Sequence, residues 1–397
     1  MKTLNVPSRF PLVVLLSGIF LLAVAMGIGR FSYTAILPSM QLAYPNAGAL
    51  WGFLASANYF GYMIGALWAT FMMTTRKRYR WLMTSIIISI LTTCSMGLID
   101  SVFAWIFIRL LSGIASACIM VSLSAIMLDY FIGINKPYWV SWFYGGVGVG
   151  IVISALSSAI IHTELSWQWQ SHWLFLALIS IIIALISLKH IPSTPNHQRS
   201  RTASPVKKTK ANSKIFLLLS IAYFIEGGGY IITGTFIVAF TESNNHFHSM
   251  GYIIWLMVGL SIIPSCYFFA RIAGKYGTIN ILSILYLLQA IGVIIPVFHN
   301  SVLINILAAV FFGGTFMSIV TLIVSYCNET SPFNSHTTIG ILTFAYSIGQ
   351  VAAPTAAALA ESSMGSMGAA LVTCSVALLG SILLLMFAKR LERRIQI

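Results

Sequence analysis

Arg30, Arg109 and Glu226 stand inside long apolar runs, apart from the segments that hold almost every other charge of the chain. An ionised group at mid-bilayer costs at least about 2.5 kcal/mol even on insertion scales, so each such residue must face a polar cavity or a partner. The chemistry open to them is the binding of a charged group and the transfer of a proton. A buried carboxyl changes protonation as the charge beside it changes. Phe31 follows Arg30, with Tyr33 and Thr34 at i+3 and i+4; Tyr230 and Thr233 follow Glu226 along the seventh apolar run. These spacings give each run one polar-aromatic face if it is helical, and two such faces would line opposite walls of a central cavity. Arg30, Phe31, Tyr33, Tyr230 and Thr233 are therefore candidates for holding a solute, and Glu226 and Arg109 for coupling a proton to it.

Simpler roles compete with these. Arg30 and Glu226 would serve equally as a permanent salt bridge, since buried charges usually pair. Arg109 would serve by hydrogen-bonding the carbonyls of neighbouring helices. Gly27, Gly29, Gly227, Gly228 and Gly229 bracket the charged residues; they fit bending segments beside a midplane site, or merely close helix packing.

The elements that position these residues must be membrane helices. Only 8% of the 397 residues are charged and 58% are hydrophobic, against roughly 25% charged in a soluble domain. A span uses about 20 apolar residues, and the apolar runs fall near 11–37, 48–73, 81–99, 103–128, 139–161, 173–189, 215–240, 250–270, 279–298, 302–327, 337–360 and 367–388. This predicts an all-α membrane protein of twelve transmembrane helices. Of its 22 Lys and Arg residues, 20 fall in alternate loops and none in the others. The positive-inside rule then places both termini in the cytoplasm. A net charge of +14 thus reports topology and attraction to anionic lipid rather than nucleic-acid binding. Ala23-Val24-Ala25 resembles a signal-peptidase site, but the apolar run is too long for one, and the repeat described next needs this segment as a partner.

The two halves repeat. Gly27-Ile28-Gly29-Arg30 aligns with Gly227-Gly228-Gly229-Tyr230, Gly113 with Gly313 and Asp129 with Glu329, all at a shift of 200. Residues 1–190 and 215–397 are expected to form two pseudo-symmetric six-helix bundles, joined by a basic, proline-containing linker over 191–214. At the cytoplasmic ends, Asp129 and Glu329 terminate helices where the macrodipole disfavours an acid. Pairing of these acids with Arg76, Arg78, Arg271 and Lys275 would form a gating latch; ordinary solvated loop charges would look the same in sequence. Gly61, Gly65, Gly146 and Gly150 read as small-xxx-small packing surfaces. Trp167, Trp169 and Trp173 read as interfacial belt residues. The five widely spaced cysteines form no disulfide or zinc pattern. No nucleotide loop, metal motif or catalytic triad is recognisable, so neither an enzyme nor a cofactor is expected. The expected partners are a small-molecule solute, protons and membrane lipids, with the chain acting as a monomer.

The segments Gly27 to Thr34, Arg109 to Gly113 and Gly229 to Phe236 resemble the YbfB/YjiJ branch of the major facilitator superfamily, and the resemblance runs along the whole chain. It implies the facilitator fold and alternating-access transport in a bacterial inner membrane. Arg109 and Gly113 also match the fourth-helix pattern of proton-coupled facilitators, in which the arginine is implicated in coupling. One departure stands out: no acid occurs between Gly61 and Lys77, where the superfamily's loop motif carries an aspartate. With Arg30 and Arg109 set against Glu226, an anionic or zwitterionic solute is expected. The aromatics suit a sugar or an amphipathic drug as well, which leaves an exporter or a uniporter of the same fold as the alternative; a non-transporting receptor or scaffold, which would be expected to carry a signalling domain, is the more remote one.

Overall fold

The computed structural model describes residues 10–47, 50–72, 77–160, 168–193, 210–242, 251–298, 301–333, 335–364 and 367–396. Its elements in chain order are α1 (Pro11–Leu22), α2 (Ser32–Ala43), α3 (Leu50–Met72), α4 (Arg78–Leu98), α5 (Val102–Gly133), α6 (Trp139–Tyr144), α7 (Gly146–Ile160), α8 (Trp169–Ser187), α9 (Lys210–Glu242), α10 (Gly251–Tyr276), α11 (Thr278–Phe298), α12 (Val302–Thr330), α13 (Ser335–Met364) and α14 (Met367–Gln396). Among the described residues, ten helical stretches are long and apolar enough to cross a membrane. Two of them join neighbouring elements: α1 with α2, and α6 with α7. The helices α3 and α13 lie where the sequence places two further spans.

The distribution of side chains is that of a protein dissolved in lipid. Large apolar residues such as Phe71, Phe103, Leu185 and Leu303 cover the outside, while Arg30, Asn58, Arg109, Glu226, Gln289 and Gln350 lie within. In hydrocarbon every backbone polar group must be satisfied internally, which is why helix is the dominant element.

Glycines set how closely these helices approach. A Cβ on Gly61 would lie 2.1 Å from the Leu110 carbonyl oxygen, and one on Gly65 2.4 Å from that of Ile114, both on α5; Gly146 and Gly150 meet the carbonyls of Ile19 and Ala23 in the same way. The small-xxx-small reading therefore describes real backbone contacts. The repeat is visible at this level too: Gly113 seats on the carbonyl of Asn58 and Gly313 on that of Val258, both shifted by 200. Helices before the linker meet those after it along α7 and α10, α3 and α13, and α2 and α9.

The glycine run near Arg30 breaks its helix, and the later one does not. Between α1 and α2 the stretch Ala23–Ile28 is a π-helix, in which the Gly29 N–H donates to Val24 O at 2.8 Å and the Phe31 N–H to Met26 O at 3.0 Å. Two serines one turn apart on α5 donate into this irregular turn, Ser112 to Gly29 O at 2.9 Å and Ser116 to Ala25 O at 3.0 Å. In α9 the helix continues unbroken through Gly227 to Gly229. There the glycines serve packing: a Cβ on Gly227 would meet the Tyr346 carbonyl at 2.3 Å.

The belt reading of the tryptophans does not hold for the two that are described. Trp169 and Trp173 are buried, and Trp169 sits edge-on against Trp105 (5.3 Å) and Tyr44 (6.3 Å). Burying two large rings against other helices outweighs leaving them at a lipid interface. Trp167 lies outside the described residues.

Candidate functional site

Arg30 lies in the break between the π-helical stretch and α2, where the chain is free of regular helix. Its Nη2 donates to Gln350 Oε1 on α13 at 2.5 Å, and Gln350 Nε2 donates to the Tyr230 hydroxyl on α9 at 2.5 Å. The repeat-related residues Arg30 and Tyr230 are thus joined through one amide. The guanidinium carbon lies 4.0 Å from the ring centre of Tyr62, 5.4 Å from Tyr59 and 5.6 Å from Phe31, a cage in which rings stabilise the cation. Arg30 Nε and Nη1 are buried and have no hydrogen-bond partner among the described residues. Leaving buried donors unmade is expensive.

Glu226 is fully buried. It accepts from Gln289 Nε2 at 3.1 Å through Oε1, while Oε2 has no partner among the described residues. It forms no ion pair with Arg30: the one described ion pair in the molecule is elsewhere. The permanent salt bridge open from sequence is therefore not present. One turn along α9, Tyr230 stacks on Phe316 (5.2 Å) and Tyr346 (5.3 Å). Phe31 meets Trp255 and Phe316 edge-on, and Thr233 Oγ1 is another buried group with no partner among the described residues.

Arg109 on α5 lies with its guanidinium carbon 4.7 Å from the ring centre of Tyr33, and the Tyr33 hydroxyl donates to Trp51 O at 2.8 Å. Two further bonds tie the helices across the linker. Thr34 donates to Gly234 O at 2.8 Å, and the hydroxyls of Tyr59 and Thr235 are hydrogen-bonded to each other.

The gating candidates are only partly brought together. Arg78 Nη1 donates to Asp129 Oδ2 at 2.8 Å, but this pair joins α4 to α5. Glu329, Arg271 and Lys275 are exposed and form no ion pair among the described residues; Arg271 turns instead to the Tyr267 hydroxyl at 3.3 Å. The repeat explains the difference, because the position equivalent to Arg78 is Thr278. Arg76 lies outside the described residues, as does most of the linker. What does close the basic end is aromatic and small: Trp142 stacks on Tyr267 at 4.5 Å, and Gly340 abuts Thr70.

Gln350, Gln289, Tyr62 and Tyr59 were missed in sequence because none carries a formal charge. An amide in the middle of an apolar run, as at Gln350 and Gln289, is the signal that points to them, since burying it unpaired is costly.

A nearly all-helical chain with apolar spans and a polar, cation-bearing interior is a membrane-embedded, multi-pass transporter fold. A family model described as "Uncharacterised MFS-type transporter YbfB" matches residues 22–386. The chain belongs to this family. Over 91 residues it is 34% identical to the quinolone resistance protein NorB of Staphylococcus aureus strain JH9, which is 22% of this chain and 18% of that protein. NorB of strain Newman matches to the same extent. The chain therefore spans less than a fifth of the length of these relatives.

Proposed function

We propose that the chain is a proton-coupled secondary transporter of a small anionic or zwitterionic solute, working by alternating access. It would do so as two six-helix bundles with twelve spans in a bacterial inner membrane, both termini cytoplasmic. The observation that carries the reading is Arg30: a buried guanidinium in an aromatic cage, with two donor nitrogens left over among the described residues. A carboxylate or phosphate fits such a fork through paired, charge-assisted bonds. Glu226 has one free oxygen and lies one turn from Tyr230, which Gln350 ties to Arg30. A solute that takes up Arg30's charge changes the field at Glu226, and the two binding events become reciprocally linked.

Glu226→Gln, which imitates the protonated acid, is expected to keep solute binding and exchange in proteoliposomes but to lose accumulation driven by a pH gradient. Arg30→Ala is expected to weaken binding itself. Accumulation by Glu226→Gln with unchanged pH dependence would remove the coupling role. A second reading, export of an amphipathic drug, is favoured by the NorB match and by the stack of Tyr230, Phe312, Phe316 and Tyr346. Under it, transport would survive Arg30→Ala and resist competition by carboxylates.

A further inference from the structure

A cavity of about 340 Å³ opens between the start of α11 and the end of α14, lined by Lys389, Arg390 and Arg393 together with Asn280 and Ser283. We propose that it holds the phosphate headgroup of an anionic membrane lipid. Three cations share one small space, and no carboxylate forms an ion pair with any of them among the described residues. The nearest acid in sequence, Glu392, is engaged with α12, where it accepts from the Tyr326 hydroxyl at 2.8 Å. Complementing the negative end of α14 accounts for basic residues in its last turn only, such as Arg393. Lys389 and Arg390 lie further in.

None of the chain's 8 acidic residues falls within 1–9, 73–77 or 194–209. The start of α11 adds the positive end of a helix dipole to the cavity.

The choice of a lipid over a dissolved anion rests on what adjoins the cations. Val376, Leu379, Leu383 and Phe387 are exposed at helical spacing along α14, and Ile284, Leu287 and Ile291 along α11. The two helices pack against each other, so two outward apolar stripes run from mid-membrane up to the basic cavity. Acyl chains lie on such stripes while the phosphate meets the cations, the arrangement of basic pockets at the ends of membrane helices. The proposal rests on the membrane-embedded fold and not on the solute reading above.

The test uses the purified full-length chain in detergent, titrated separately with phosphatidylglycerol, phosphatidylcholine and inorganic phosphate. Melting is followed by tryptophan fluorescence, and bound lipid is counted by native mass spectrometry. Phosphatidylglycerol is expected to raise the melting temperature and to remain bound, and phosphatidylcholine to do neither. Lys389→Gln/Arg390→Gln/Arg393→Gln should weaken the lipid effect at least about tenfold, whereas the charge-matched control Arg199→Gln/Arg201→Gln/Lys207→Gln should not. Single substitutions, each expected to weaken it less, serve if the triple variant does not fold. Equal loss in the control would reduce the effect to net charge and overturn the site. An equal effect of inorganic phosphate through the same three residues would overturn the lipid assignment. No transport is measured, so an error in the proposed solute leaves this result intact.

Discussion

At the scale of the residue, what matters is which groups are left with something to give. Arg30 spends one donor on Gln350 and leaves Nε and Nη1 unpaired; Glu226 leaves Oε2. Gln350→Glu would place a carboxylate where Arg30 now meets an amide, supplying internally the anion that a solute would bring. The expected outcome is a more stable protein that binds an anionic solute at least about tenfold more weakly, since a charge-assisted pair contributes about 1.5–3 kcal/mol. A binding isotherm and a melting curve on the same preparation check it; unchanged affinity would mean that the solute does not use Arg30. Arg30, Arg109 and Glu226 were legible in sequence because charge in an apolar run is costly and conspicuous. Their partners were not. Uncharged amides and tyrosines carry no such signal, and only the fold shows that Gln350, 320 residues away in the chain, reaches Arg30.

The elements show the same partial legibility. Every run read as a span contains a helix, because apolar length alone dictates helix in a bilayer. What sequence left open was how each glycine run would behave. Near Arg30 the helix is broken and Ser112 and Ser116 donate to its carbonyls; in α9, contacts with α13 and α14 hold the helix regular. Packing decided between them, and packing is not written in composition. A Cβ on Gly27 would lie 2.3 Å from the Cα of Gly150, a backbone atom that cannot yield. Gly27→Ala is therefore expected to cost about 1–3 kcal/mol, as overpacking does. Gly314, with nothing within 4 Å of an added Cβ, should accept Ala and gain about 0.5–1 kcal/mol from helix propensity. Melting of the two variants side by side in detergent separates steric from intrinsic effects.

For the molecule as a whole, the question is what keeps the interior from both aqueous sides. The sequence pointed to charge pairs at the basic end, but Arg78 and Asp129 hold α4 to α5. At this end the helices before and after the linker meet in the stack of Trp142 on Tyr267 and the contact of Gly340 with Thr70. Trp142→Ala is accordingly expected to raise the labelling rate of the buried Cys266 by a water-soluble maleimide, in a variant whose other four cysteines are replaced, and to raise it more than Asp129→Asn does. Equal rates in both variants would return the role to the charges. Between the two ends, α7 and α10 cross where a Cβ on Gly148 would come within 2.5 Å of the Gly259 carbonyl oxygen. Trp142 and Tyr267 lie to one side of this crossing, and Ser154, hydrogen-bonded to Trp255 at 3.2 Å, to the other. Under the proposed alternating access this close approach serves as a fulcrum, since two backbones meet at a pair of glycines with Ile151, Val152 and Ile262 packed around the contact. Rocking about it would lift one pair of arms only by lowering the other, so the geometry of a lever, and not the affinity of any ligand, would keep both doors of the proposed transporter from standing open together.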